Sequence, residues 1–248
     1  MSARSNTKSQ LPATTDEKPG AAAKVLSQII ERGARVQAPA VKAYVDRLRR
    51  SDPNASPAEV VKKLEKHYLA AVMASGAAVG SAAAFPGIGT LAALSAVTGE
   101  TVVFLEATSV YVLAVAEVYG IPAEHRERRR ALVLAVLVGE DSKHAVAEVL
   151  GHGRTSGAWL ADGAATLPLP AVSQLNSRLL RYFVKRYTLK RGAIAFGKLL
   201  PVGIGAVVGG VGNRLMGKRI VANARMAFGN PPPRWPASLH VLPAPSER

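Results

Sequence analysis

The chain has 248 residues, of which 48% are apolar but only 5% aromatic, with no cysteine and a formal net charge of +15. The missing thiols exclude disulfide frameworks, thiolate nucleophiles and cysteine-based zinc or iron–sulfur sites. The length suits one sizeable core with tails, and a core built from many small side chains favours closely approaching helices.

Residues 1–20 combine Ser, Thr, Pro and charge with almost nothing to bury, which predicts a disordered tail. No apolar run follows Arg4 and Lys8, so no secretory signal is expected, and the protein is placed on the cytoplasmic side of the cell membrane. Residues 22–32 and 41–50 form two short amphipathic patterns, the second with Val41, Tyr44, Val45 and Leu48 at helical spacing. In the turn that follows, Ser56, Pro57 and Glu59 make a capping box that opens a helix at residue 57.

That helix enters an uncharged stretch broken by Phe85-Pro86-Gly87-Ile88-Gly89, where Pro86, Gly87 and Gly89 should turn the chain. A second helix is predicted over 90–118, ending at Gly120 and Pro122, so that the two form a hairpin. Short helical patterns follow at 131–138 and 143–150, then a predicted loop over 151–170. Residues 171–190 are amphipathic, with Val172, Leu175, Leu179, Phe183 and Tyr187 on one side. A last helical pair is split at Leu200-Pro201, and residues 231–248 read as a proline-rich tail. No alternating, hairpin-linked pattern occurs, so the predicted class is all-α: a compact helical bundle with Gly/Ala-rich hairpins. The predicted organisation is a tail over 1–20, amphipathic helices over 21–56, a helical domain over 57–230 and the terminal tail.

Gly76 and Gly80, and Gly205 and Gly209, are each spaced as GxxxG. That spacing lets helix axes approach closely, either in lipid or in a tightly packed soluble bundle. The first apolar segment, Leu69 to Ala84, has 16 residues and would extend about 24 Å, short of a hydrocarbon core of about 30 Å. The second helix contains Glu100 and Glu106, and carboxylates are costly at bilayer depth. A pair of spanning helices is therefore disfavoured against a partly inserted or buried hairpin.

Charge is segregated along the chain. Residues 71–120 hold three acids (Glu100, Glu106, Glu117) and no Lys or Arg, whereas residues 164–229 hold eleven Lys or Arg and no acid. Glu106 and Glu117 lie three helical turns apart, about 16 Å, too far to share a metal or a substrate atom, so each is expected to pair with a cation from the basic half. The candidate membrane or anion surface is the basic helix bearing Arg178, Arg181, Lys185, Arg186, Lys190 and Arg191, with Tyr182, Phe183 and Tyr187 beside them.

His144, Glu148 and His152 are helically spaced, but Gly151 interrupts them and no further ligand is evident. Gly192 to Lys198 matches the start of a phosphate-binding loop, yet Leu199 replaces the magnesium-binding hydroxyl and no strand precedes it. No catalytic residue, metal or cofactor is expected.

Three blocks together resemble the EcsC family, in its actinomycete-like branch: residues 76–122, the run ERRRALVLAVLVGE, and LLPVGIGAVVGGVGNRLMGKRIVANARMAFGNPPP. In the third, Pro201, Gly205, Gly209 and Asn213 stand where the resemblance expects helix-packing and turn residues, and the similarity extends over residues 57–236. It implies a membrane-associated helical protein with no activity attached and a link to an ABC transporter. The expected function is thus that of a non-enzymatic membrane accessory protein, with an anionic lipid surface and a transporter or other protein as partners. Nucleic-acid binding is the alternative, supported by the charge but by no reader motif.

Overall fold

The computed structural model describes residues 39–82, 90–121, 125–150, 167–197 and 204–236. Every regular element among them is helical. In chain order these are α1 (39–51), α2 (Pro57–Ala82), α3 (Thr90–Val118), α4 (Arg126–Val138), α5 (Asp141–Leu150), α6 (Leu169–Gly197) and α7 (Ile204–Phe228). The all-α expectation holds, and the helices form one bundle around a shared core. The expected N-terminal tail, the helix over 22–32 and the turn at Pro86, Gly87 and Gly89 lie outside the described residues, as does Pro201.

α2 starts where the capping box places it. The Ser56 amide donates to Glu59 Oε2 at 2.7 Å, its hydroxyl donates to the same oxygen at 2.8 Å, and the Glu59 amide donates to Ser56 Oγ at 3.3 Å. These bonds, the backbone amide first, hold the Glu59 carboxyl below its ordinary pKa. α3 returns beside α2: the Tyr68 and Thr108 hydroxyls are 2.9 Å apart, and the rings of Tyr68 and Tyr111 stack at 4.7 Å.

α7 runs antiparallel to α2 along the opposite flank. Arg225 meets Glu65, Asn213 meets Val72 and Gly210 lies beside Ala77, so positions rising along one helix meet positions falling along the other. The close approach needs missing side chains. A Cβ on Gly217 would stand 3.0 Å from both Leu69 Cδ2 and Val72 Cγ2, and Gly210 is buried next to Ala77. The buried face of α7 is therefore Gly210, Asn213, Gly217, Ile220, Val221 and Ala224, a period of three and four residues. Gly76 is buried on α2, whereas Gly80, Gly205 and Gly209 fall in helical stretches whose packing is outside the described residues.

α4 occupies the middle of the fold. Residues 131–138 are all apolar and all buried, as a helix surrounded by α3, α6 and α7 requires. It ends at Gly139, whose φ of 73° favours glycine, and a Cβ there would fall 2.6 Å from the Asn223 amide. That amide donates from α7 to Val136 O at 2.9 Å, satisfying one of the carbonyls the helix end leaves open.

Several boundaries differ from the sequence reading, and α4 already begins at Arg126, five residues before the predicted start at 131. α6 does not stop near Lys190 but continues to Gly197, so residues 192–197 are helical and cannot be a phosphate-binding loop. The domain also reaches past both of its expected limits. α1 buries Val41 and Val45 in the common core, and the start of the proline-rich segment folds back, with Trp235 Nε1 donating to Ala55 O at 3.0 Å and Arg49 lying 4.2 Å from the indole centroid. Pro236 closes against Gly120, where a Cβ would be 2.7 Å away.

Gly217→Leu should overpack the α2–α7 contact and lower stability by about 1–3 kcal/mol in urea unfolding. Gly212→Ala, facing open space one turn away, should raise it by up to about 1 kcal/mol through helix propensity. Equal stability of the two variants would contradict the packing described.

Candidate anion-binding surface

The basic half meets its acids across helix interfaces. On α7, Arg225 donates through Nε and Nη2 to the two oxygens of Glu65, at 2.7 and 2.6 Å. The Glu65 side chain is only 9% exposed, while that of Arg225 is 65% exposed, so the carboxylate is buried and its cation reaches it from the surface. A forked, charge-assisted pair is the geometry that offsets burial of a carboxylate best. On α6, Arg178 pairs with Glu148 of α5, and Tyr182 donates to the other Glu148 oxygen at 3.0 Å. Arg178 first, then Tyr182, lowers the Glu148 pKa. Asn176, also on α6, donates to the backbone and carboxylate oxygens of Glu127 at the start of α4, at 3.0 and 2.9 Å.

These pairs correct the sequence reading. Glu106 is exposed and Glu117 half-buried, and among the described residues neither has a cation within ion-pair distance. The acid that ties the hairpin to the basic half is Glu65. Its signal was present: Val61, Glu65, Tyr68 and Val72 lie on one line of α2, and a carboxylate on a buried apolar stripe requires a partner. Arg178 is likewise engaged, through an acid that sequence reasoning weighed only beside two histidines. Among the described residues no group of His, Cys, Asp and Glu could hold a metal ion.

Around Glu65 lies a dry, polar cluster. Burial pushes the Tyr68 phenol well above its ordinary pKa, partly countered by the Thr108 hydrogen bond. Burial, then the Glu65 charge, does the same to Tyr111. Tyr119 is raised to about 12 by the same two causes and donates to Gly229 O at 2.8 Å.

The surface that remains is cationic. Arg181 on α6 and Arg214, Lys218 and Arg219 on α7 are exposed, and among the described residues no acid lies within ion-pair distance of them. Lys185, Arg186, Lys190 and Arg191 sit on the second half of α6, where side chains are outside the described residues. The apolar stripe of α6 is consumed by the fold, since Val172, Leu175, Leu179 and Phe183 are buried. Over the described side chains this stripe is therefore committed to the core. No protein-family model, curated protein or solved structure matches the chain.

Arg225→Gln should cost about 1–3 kcal/mol, because it strands a buried carboxylate while removing a guanidinium that was largely exposed. Adding Glu65→Gln should recover part of that loss, and urea unfolding of both variants measures it. Separately, the tyrosines should resist ionisation. Their folded pKa values lie above the ordinary value of 10, so stabilisation is complete below that pH and lost as pH climbs above 10, through about 12 for Tyr119 and higher for Tyr68 and Tyr111. Tyrosinate absorbance recorded alongside helicity should show Tyr68, Tyr111 and Tyr119 ionising only as the helices melt; ionisation near pH 10 with helicity intact would contradict their burial.

Proposed function

We propose that this chain is a non-enzymatic, EcsC-like protein that attaches peripherally to the cytoplasmic face of the cell membrane through anionic lipid. There it serves as an accessory or interaction partner for other membrane components, a transporter among them. The observation that carries the reading is the exposed charge of Arg181, Arg214, Lys218 and Arg219, none with an acid at ion-pair distance among the described residues, in a half of the chain where residues 164–229 contain no acid. Basic side chains at an anionic bilayer contribute about 1 kcal/mol each, so four give a useful and reversible attachment.

Peripheral attachment agrees better with the fold than spanning does. Among the described residues one stretch, Thr101–Val118, is long and apolar enough to cross a bilayer, but 61% of it is buried inside the bundle. It also carries Glu106 and Glu117.

Cosedimentation of the full chain with phosphatidylglycerol vesicles, and with phosphatidylcholine vesicles as the neutral reference, tests the proposal. Binding should favour the anionic vesicles and weaken as salt rises from about 0.1 M to about 1 M, where the screening length falls from about 10 Å to about 3 Å. Equal affinity for both vesicles would remove the electrostatic basis. Retention of nucleic acid without any vesicle binding would point to the other phosphate-bearing partner.

A further inference from the structure

Five large apolar side chains are exposed among the described residues, and three of them, Val211, Leu215 and Met216, fall within six residues of α7. Isolated exposed apolar residues are ordinary, but neighbouring ones on a single helix call for an explanation. They are 52%, 58% and 41% exposed. Because Gly210, Asn213 and Gly217 turn inward against α2, Val211 and Leu215 turn outward on the same helix, while Met216 lies about 100° further round, at the margin beyond Arg219. Val211, Leu215 and Ala222 share one line at i, i+4 and i+11. Arg214 and Lys218 flank that line on one side and Arg219 on the other, all three exposed. α7 has no acid anywhere along its length.

We infer that the outer face of α7 is the element that docks on an anionic bilayer, seating Val211 and Leu215 at the headgroup–acyl boundary, with Met216 at its margin, while Arg214, Lys218 and Arg219 hold lipid phosphates. This rests on the membrane reading above and moves the contact from α6, where the sequence placed it, to α7. The choice of occupant follows from charge. A second copy of the chain packing α7 on α7 would bring three cations against three cations with no acid to relieve them. Nucleic acid would match the cations but leave three apolar side chains in water. A bilayer carrying phosphatidylglycerol or a similar lipid presents anionic and apolar matter within a few ångströms of each other, in the order this face presents its complements. The inner face is already filled by α2, so docking does not compete with folding.

The test uses two triple variants of the full chain and one labelled variant. Val211→Ser/Leu215→Ser/Met216→Ser should weaken binding to phosphatidylglycerol vesicles at least about ten-fold and abolish the part that survives high salt. Arg214→Gln/Lys218→Gln/Arg219→Gln should weaken it roughly 100-fold and erase the preference over phosphatidylcholine. All six positions are solvent-facing, and urea unfolding checks that both variants fold as the parent does. Because the chain has no cysteine, Leu215→Cys accepts a single environment-sensitive fluorophore, which should shift to the blue on phosphatidylglycerol vesicles. The same label at exposed Ser177 of α6 should remain in water. A parent chain that binds vesicles while both triple variants bind equally well, or a label at 215 that stays in water on bound protein, overturns the α7 assignment and leaves the membrane reading standing. A parent chain that binds no vesicle overturns both. A parent that dimerises in solution, with the serine variant monomeric, assigns the face to self-association and overturns the inference.

Discussion

The contact between α2 and α7 is the constraint on which the rest of this structure depends. It joins residues more than a hundred positions apart, so its formation encloses the four helices between them. Its closeness is greatest at Gly217, where a Cβ would press on Leu69 and Val72, while the small Gly210 and Ala77 meet further along. Specific bonds then set its register: Asn213 donates to Val72 O at 3.1 Å, and Arg225 grips Glu65 some three turns further along. A one-residue slip would bury Arg214 or Lys218 and expose Asn213. The same contact thus decides which side of α7 faces water.

The distribution of charge follows from this arrangement. A carboxylate on α2 and another on α5 each draw one guanidinium from the acid-free half, and both links cross between helices. Such pairs are weak sources of net stability but strong determinants of register, because misplacing either partner leaves charge near apolar surface. Eleven cations served by so few acids leave a surplus, and among the described residues Arg181, Arg214, Lys218 and Arg219 carry it on the surface of α6 and α7. Small side chains and a buried α4 make this possible: the core is closed largely by Ala, Val and Leu.

The elements themselves were legible because they depend on local chemistry. The Ser56–Glu59 box opens α2 by bonds confined to four residues, and Gly120 ends α3 because only the residue itself decides whether positive φ is comfortable. The run over 131–138 showed as a short helical pattern, and the structure buries it on every side. Less visible was the extent of α6, since Gly192 weakens a helix without ending it. The return of Trp235 onto α1 and Ala55 joins positions 180 residues apart, which no local pattern can report.

Charge segregation, the absence of cysteine and the helical class were thus determined by the sequence alone, since each is a property of composition or of spacing along one element. Which charge meets which was decided by tertiary structure. Glu106 and Glu65 both sit on long apolar helices, and only the direction each side chain takes once α2, α3 and α7 are assembled makes one a surface group and the other the buried partner of Arg225. The same holds for the two basic helices. α6 has the stronger amphipathic pattern in sequence, but α4 and α5 cover its apolar stripe, whereas α7 turns its glycines inward and leaves Val211, Leu215 and Met216 outside. A pattern of spacing fixes that a helix has two faces, and only its neighbours decide which of them is left for a partner.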